Sequence, residues 1–157
     1  MPQKFREGKE HLLPELKQLA KDWAWLIDLD QFILLEVSPF GDLFMKDRTS
    51  AFCLLDINMA ELQYAQVPGN NPAELFPIAF DFRIADAYIK AGMMPEEGQC
   101  FGYKIQLVAG GSLEVSNVYV ATQSEYISFM GEFHHQIQDV PDGTAVHLKV
   151  INKRVLQ

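Results

Sequence analysis

Residues 32–57 constrain the fold of this chain more than any other stretch. Three runs of β-forming residues are separated by SPFG at 38–41 and by DRTS at 47–50. A proline cannot donate to a strand ladder and a glycine can adopt a positive φ, so each break predicts a turn. A fourth run at 61–67 alternates apolar and polar residues. The sequence therefore predicts a four-stranded meander, with residues 32–37 in the interior of its sheet because both alternating faces of that run are apolar.

Three helices are predicted around the strands. Apolar residues at helical spacing place the first from Leu12 or Leu13 to about Ile27, with Pro14 in its first turn. The second begins after an Asn71 cap, and Pro77 predicts either a kink or a short first helix that ends there. Its expected buried stripe consists of Leu75, Ile78, Ala79, Phe82, Ala85 and Ile89. The third runs over about 123–138, after a capping box from Thr122 to Glu125.

Strands are also predicted after the second helix and near the end of the chain. Residues 98–112 contain an aromatic and apolar run that ends in Gly110-Gly111, and residues 115–121 form another β-rich run. The glycine pair lacks the spacing of a phosphate-binding loop, which favours a tight turn or a close backbone approach. Val146, Leu148 and Val150 alternate with polar residues in a final strand. The predicted fold class is α+β, with a largely antiparallel sheet of about six strands and three helices packed on it.

Length and charge limit the classes of protein that the chain can represent. We expect residues 1–157 to form one domain, with an N-terminal helical segment at 1–28 and a core at 29–151. The formal net charge of −8 argues against nucleic-acid binding and favours a basic partner. No signal peptide or membrane span is recognisable, so we expect a cytoplasmic protein. The oligomeric state is left open.

Residues capable of chemistry do not form a recognisable catalytic or metal-binding motif. Adjacent histidines on a helix point about 100° apart, so His134 and His135 do not have the spacing of a shared metal site. Cys53 and Cys100 lack Cys-x-x-Cys spacing, and we expect both to be reduced. No catalytic residue, cofactor or metal is assigned.

Acidic residues recur at a spacing that suits a binding surface. Glu125, Glu132 and Asp139 are seven residues apart, so a helix would place them on one face. Asp142 follows just beyond, and Glu96-Glu97 could join the same surface. We expect this acidic face to meet a basic protein, with a solvated face as the alternative.

Four segments together resemble a known family of immunity proteins. They are VSPFGDLFMKD from Val37, LLDI from Leu54, GQCFGYKIQLVAGG from Gly98 and YISFMGEFHHQI from Tyr126. They look like the C-terminal domain of type VI secretion immunity proteins that protect against DNase effectors, a domain similar in style to the SUKH immunity proteins. The shared features are structural: Gly41, Asp42, Leu43 and Phe44 in the first turn and strand, and the Gly110-Gly111 turn. The turn residues Arg48-Thr49 and Met59-Ala60 depart from the glycines expected in relatives.

Two functions from different classes remain open on the sequence. The resemblance implies a non-enzymatic immunity protein that binds and neutralises a cognate toxin, which we expect to be a basic nuclease effector of a type VI or related secretion system. The alternative is a small-ligand sensor or enzyme with a pocket between sheet and helices, near Tyr103, Trp25 and Cys100. A polar-lined cavity there would favour the second function.

Overall fold

The computed structural model describes residues 15–140, which form four α-helices and six β-strands. This confirms the α+β class. The elements are α1 (Leu16–Leu19), β1 (Phe32–Val37), β2 (Leu43–Asp47), β3 (Phe52–Asp56), β4 (Glu61–Tyr64), α2 (Pro72–Leu75), α3 (Phe82–Lys90), β5 (Gln99–Tyr103), β6 (Val118–Thr122) and α4 (Gln123–Ile137). The strands are divided between an antiparallel sheet in the order β1-β2-β3-β4 and a two-stranded antiparallel sheet of β5 and β6. No helix within residues 15–140 has the length and apolar character needed to cross a membrane.

The four-stranded meander is confirmed, but the expected interior position of β1 is wrong. Within the described part of the chain β1 pairs only with β2 and lies at an edge of the sheet. Both faces of β1 are nonetheless covered. Leu34 packs on the cluster of buried residues that we call the main core, which includes Trp23, Leu43 and Ile127. Leu35 packs on a second cluster, which includes Phe44, Leu75 and Phe80. An apolar run on both faces of a strand indicates that other elements pack above and below it. It does not indicate how many strands flank it in the sheet.

The turns of the meander have the geometry that glycine favours. Ser50, in the second turn, has a φ of +71°, and Ala60, in the third turn, has a φ of +58°. Non-glycine residues rarely adopt this left-handed conformation. Ala60 therefore occupies a position where a glycine was expected from the resemblance.

The first helix is shorter than predicted. After four residues α1 ends at Ala20, whose φ of −112° leaves the helical region, and a 3₁₀ turn follows at Lys21–Trp23. The expected start at residue 12 or 13 lies outside the described residues. The predicted packing residues are nevertheless buried: Leu16, Leu19, Ala20, Trp23 and Ile27. The two tryptophans anchor the segment, since Trp23 Nε1 donates to the Ile127 carbonyl (2.9 Å) and Trp25 Nε1 donates to the Gly131 carbonyl (3.2 Å).

The second predicted helix is two helices, as Pro77 indicated. The side chain of Asn71 accepts a hydrogen bond from the Ala73 N–H at the start of α2, and the helix ends at Leu75. Asp81 caps α3 in the same way through the Arg83 N–H. The single buried stripe is therefore wrong in part, because the break changes the helical phase: Ile78 is 86% exposed and Tyr88 is buried.

The small sheet lies between α3 and α4. Phe101, Tyr103 and Val118 pack toward Tyr88 and Ala85 of α3, whereas Cys100 and Ala121 face the main core with α4. The strand predicted from residue 115 begins at Val118, because Val115–Asn117 form a 3₁₀ turn. The long final helix is confirmed, although no side chain caps it, and the Gln123 N–H donates instead to the Gly98 carbonyl. The strand predicted around Val146 to Val150 lies outside the described residues.

Candidate partner-binding surface

The acidic residues of the third predicted helix are arranged along α4 and its C-terminal extension. Glu125 and Glu132 lie on α4, and Asp139 lies two residues beyond its last residue, Ile137. Seven residues correspond to two helical turns, so Glu125 and Glu132 are separated by about 10 Å along the axis. Both are partly buried, whereas Asp139 is exposed. Asp142 lies outside the described residues.

Glu96 and Glu97 lie near the N-terminal end of α4. Both are exposed in the turn that precedes β5. The carbonyl of the next residue, Gly98, accepts a hydrogen bond from the Gln123 N–H at 2.8 Å. The two glutamates therefore lie close to the first turn of α4, which carries Glu125. We call Glu96, Glu97, Glu125, Glu132 and Asp139 the acidic face.

An aromatic side chain that the sequence analysis did not single out lies beside the acidic face. Tyr119 of β6 is 38% exposed, and its ring meets that of Tyr126 edge-on, with centroids 6.3 Å apart. Burial raises the pKa of Tyr119, and electrostatic interactions with Cys100 and then Glu125 add to this rise. Tyrosines with one apolar face and one polar end are common anchors of protein interfaces. The alternation of side chains along β6 places Tyr119 on one face of the strand. Only the packing of α4 shows which of the two faces is exposed.

The turn at 38–41 is a buried structural motif. Gly41 has a φ of +90°, and a Cβ atom there would lie 2.8 Å from Cδ1 of Ile57. The Ser38 hydroxyl oxygen accepts hydrogen bonds from the N–H groups of Phe40 and Asp42, and the same hydroxyl donates to Asp42 Oδ2 at 3.1 Å. Leu43 and Phe44 are buried in the first residues of β2. The motif therefore fixes the turn and exposes no reactive group.

Asp42 is the most unusual ionisable residue of this motif. It is 4% exposed, and its Oδ1 accepts a hydrogen bond from the Ile57 N–H at 3.2 Å. Burial raises its pKa well above the usual range, and the nearby charge of Asp56 raises it further. A shifted carboxyl can mark an active site, but Asp42 lacks access to solvent and serves the turn.

A hydrogen-bond network connects the meander, the small sheet and α4. The Tyr126 hydroxyl donates to Asn58 Oδ1 at 2.7 Å and accepts from the Tyr103 N–H at 3.2 Å. Asn58 Nδ2 donates to the Phe40 carbonyl at 3.4 Å. Gly102 makes room for the tyrosine, since a Cβ atom there would lie 2.8 Å from the Tyr126 ring. The sequence offered no signal for this network, because its members are far apart along the chain.

The glycine pair at 110–111 makes a close backbone approach, as predicted. Gly110 has a φ of +95°, and a Cβ atom on Gly111 would lie 1.8 Å from the Ile105 carbonyl oxygen. Asn117 stabilises the loop, since its Oδ1 accepts from the Ile105 N–H and its Nδ2 donates to the carbonyls of Ile105 and Ser112. Gly111 therefore packs against protein backbone.

The two histidines have separate structural roles. His135 is exposed and stacks on Trp25, with centroids 5.0 Å apart and planes 7° apart. His134 is buried beside Trp23, and burial lowers its pKa. Among residues 15–140, no group of three or more histidine, cysteine or acidic side chains is arranged to hold a metal ion.

The pocket predicted for a sensor or enzyme does not correspond to either of two grooves on the surface of residues 15–140. A groove of about 920 Å³ lies between α3 and the 113–116 loop, and one of about 400 Å³ lies between the 26–32 segment and β4. Tyr103, Trp25 and Cys100 line neither groove. Cys100 is fully buried, and burial raises the pKa of its thiol, which makes it a poor nucleophile. Burial likewise raises the pKa of the Cys53 thiol to about 12.

The second half of the described chain is similar to an immunity-protein domain of the type VI secretion system. Residues 74–134 match the family described as "T6SS immunity protein Tdi1, C-terminal", where T6SS is the type VI secretion system. This segment runs from α2 into α4 and contains most of the GQCFGYKIQLVAGG and YISFMGEFHHQI resemblance. It confirms that this part of the chain is similar to an immunity protein. The SPFGDLF turn lies outside the matched segment.

A solved structure shares the fold of the chain. The crystal structure of Atu4351 from Agrobacterium tumefaciens matches with a TM-score of 0.55 and 13% sequence identity. The match covers 73% of this chain and 63% of that chain, so this protein spans less than two thirds of the length of Atu4351. At this identity the likeness shows the fold alone. No curated protein matches the chain.

Proposed function

We propose that this protein is a non-enzymatic immunity protein that binds a cognate toxin in the bacterial cytoplasm and neutralises it. The toxin is a basic nuclease effector of a type VI or related secretion system. The observation that carries the proposal is the match of residues 74–134 to the C-terminal domain of an immunity protein. The residues singled out for the family resemblance support it, because they build turns and cores and expose no reactive group.

The acidic face is the proposed toxin-binding surface. Its five carboxylates lie along one helix and the adjacent turn, in a chain of net charge −8. Complementary charge accelerates association, whereas apolar anchors lengthen the lifetime of a complex. The exposed ring of Tyr119 beside Glu125 provides such an anchor. The acidic face therefore combines negative charge, which attracts a basic partner, with an aromatic side chain that can be buried in the contact.

Co-expression with an effector encoded next to the gene of this protein, identified first by sequencing that locus, tests the immunity function. We expect the effector to arrest growth when it is expressed alone and growth to be restored when this protein is present. A version of the effector without nuclease activity should bind this protein in vitro. Continued arrest despite soluble expression of both proteins, together with no binding, would exclude the proposed pair.

Charge reversal tests the acidic face separately. The variant Glu125→Lys, Glu132→Lys and Asp139→Lys should associate with the toxin more slowly, by about tenfold or more at low salt, because electrostatic steering commonly changes association rates by 10 to 1000-fold. The difference should shrink as salt is added. Surface plasmon resonance at two ionic strengths measures both rates.

A matched control separates position from net charge. Glu61→Lys, Glu74→Lys and Glu114→Lys change three exposed glutamates on other elements and give the same change in net charge. We expect this control to slow association less than the triple variant of the acidic face. Equal slowing in both variants would assign the effect to net charge and remove the acidic face as the binding surface, while leaving the immunity function intact.

A further inference from the structure

The hydrogen bonds between β5 and β6 fix which backbone groups lie on the outer edge of β6. At one end of the pair the Gln123 N–H donates to the Gly98 carbonyl at 2.8 Å. Backbone groups alternate in direction along an antiparallel strand, so those of Tyr119 and Ala121 also point toward β5. The groups that point away from β5 belong to Val118, Val120 and Thr122. No strand among residues 15–140 pairs with this outer edge.

Two N–H groups on the outer edge have no acceptor within residues 15–140. The Val118 N–H closes the preceding 3₁₀ turn by donating to the Val115 carbonyl. The N–H groups of Val120 and Thr122 donate to no group of the described chain. On β5, by contrast, each N–H that points away from β6 has an acceptor: the Glu96 carbonyl for Gln99, the Pro39 carbonyl for Phe101 and the Tyr126 hydroxyl for Tyr103. Within the described chain, the outer edge of β6 is therefore the open edge of the small sheet.

β6 also lacks the features that protect sheet edges from pairing with other chains. Proteins blunt an open edge with charges, prolines or bulges. Among the other edge strands, β1 carries Glu36 and a register shift between Leu34 and Glu36, and β4 begins with Glu61. In contrast, β6 reads VYVAT, without a charge or a proline, and pairs with β5 in an unbroken register. This edge is therefore suited to accept another strand.

We infer that an extended segment of the toxin, rich in lysine or arginine, pairs with the outer edge of β6 as a third strand of the small sheet. The inference rests on the proposed function and names the contact that the toxin makes. In strand addition, main-chain hydrogen bonds hold the partner and side chains select it. Val120 offers its N–H and its carbonyl, and Thr122 offers its N–H. The exposed ring of Tyr119, one residue before Val120, gives a paired segment an aromatic surface to pack on.

Charge favours a basic toxin over a second copy of this chain. Glu125 follows Thr122 by three residues and interacts electrostatically with Tyr119 of β6. The turn that carries Glu96 and Glu97 is hydrogen-bonded to the start of α4. These carboxylates therefore lie at the Thr122 end of β6, where they can pair with lysine or arginine. A second copy would instead bring a like net charge of −8. An edge of five residues buries less area than a stable interface requires, so the paired strand depends on these additional contacts.

Amide hydrogen exchange of the full chain, followed by NMR, tests the pairing. The probe is the nuclease-inactive effector. In the free protein the amides of Val120 and Thr122 should exchange within about tenfold of the rate of an unstructured peptide, and in the complex they should exchange at least about 100-fold more slowly than in the free protein. The amides of Tyr119 and Ala121 donate to β5, so they should be protected in both states and show that the small sheet is intact.

A proline at position 122 tests the hydrogen bond itself. The φ of Thr122 is −71°, which proline allows, and its side chain makes no cap hydrogen bond to α4. Thr122→Pro therefore removes the outward N–H without removing a bond to β5 or a cap of α4. The matched control, Thr122→Ala, loses the same side chain and keeps the N–H. We expect the proline variant to bind the effector at least about fivefold more weakly than the alanine variant.

Three results would overturn the inference. The first is slow exchange of the Val120 and Thr122 amides in the free protein, which would assign the edge to the chain itself or, if the protection grows with concentration, to a second copy. The second is binding of the effector without added protection of these amides. The third is equal affinity of the two Thr122 variants while the Tyr119 and Ala121 amides stay protected. Each of these leaves the immunity function intact, whereas no binding by the unmodified protein would remove that function and this inference together.

Discussion

At the scale of single residues, the buried polar groups serve the architecture. Asp42 lies in the resemblance motif and has a strongly raised pKa, two properties that can indicate a catalytic acid. Its partners are the buried Ser38 hydroxyl in the turn, the Ile57 N–H just after β3 and the side chain of Asp56. The geometry therefore assigns it to holding the first turn of the meander against β3.

The raised pKa of Asp42 predicts a pH dependence of stability. Because its pKa is higher in the folded than in the unfolded protein, its contribution is complete below the unfolded pKa and is lost as pH rises through the folded pKa. Asp42→Asn removes this titration while keeping the shape of the side chain. Between pH 5 and pH 8, urea unfolding should therefore show a smaller loss of stability in Asp42→Asn than in the unmodified protein.

A second variant separates ionisation from hydrogen bonding. Asp42→Ala also removes the titration, but it leaves the Ile57 N–H without its acceptor and should lower the free energy of unfolding by about 1–3 kcal/mol at pH 5. If Asp42→Asn kept the full pH dependence of the unmodified protein, another group would carry that dependence.

At the scale of secondary-structure elements, tertiary contacts overrode the helical periodicity of the N-terminal segment. The spacing of Leu16, Leu19 and Trp23 predicts one long helix, and the structure breaks it after four residues. At the break, Asp22 forms a side-chain hydrogen bond with Ser128, and its backbone approaches Gly131 of α4. A 3₁₀ turn thus lets the backbone meet α4, while the same apolar residues remain buried.

Gly131→Ala should therefore destabilise the protein, although alanine favours helices. A Cβ atom at this position would lie 2.5 Å from the Asp22 carbonyl oxygen, and backbone cannot move aside as a flexible side chain can. We expect a loss of about 1–3 kcal/mol in the free energy of unfolding, measured by urea denaturation. Ser124→Ala, at an exposed site on α4, is the control and should change stability by less than about 0.5 kcal/mol. Equal stability of the two variants would mean that α4 does not lie this close to the 3₁₀ turn.

At the scale of the whole molecule, α4 and the Tyr126 network hold two separate sheets together. Tyr126 packs in the main core with residues of the meander, and its hydroxyl bridges Asn58 and β5. Both sheets therefore share one tyrosine, and the fold depends on a polar contact that no local segment specifies.

Tyr126→Phe tests this connection. Loss of the hydroxyl leaves Asn58 Oδ1 and the Tyr103 N–H without a buried partner, which should lower the free energy of unfolding by about 2 kcal/mol or more. Tyr119→Phe, on the exposed ring beside it, should change stability by less than about 0.5 kcal/mol. Urea unfolding of both variants is the measurement, and similar values for the two would show that the bridge contributes little.

The candidate site was predictable in part. The spacing of Glu125 and Glu132 placed both on one helical face, and α4 has the predicted extent because its apolar periodicity is long and unbroken. Sequence spacing could not relate Glu96 and Glu97 to that helix, because the contact between Gly98 and Gln123 forms only when β5 pairs with β6. It also gave no sign that Tyr119 would be exposed beside Glu125.

Local features of the sequence were enough to predict the α+β class, the meander, the break near Pro77, the long last helix and the close approach at Gly111. Each follows from local rules: strand alternation, helical spacing, and the conformations that proline and glycine allow or forbid. Within residues 15–140, long-range packing set the edge position of β1, the division of the strands into two sheets, the early end of α1 and the burial of Asp42. These depend on which distant surfaces meet, and the energies of such contacts exceed the local preferences of the segments that make them.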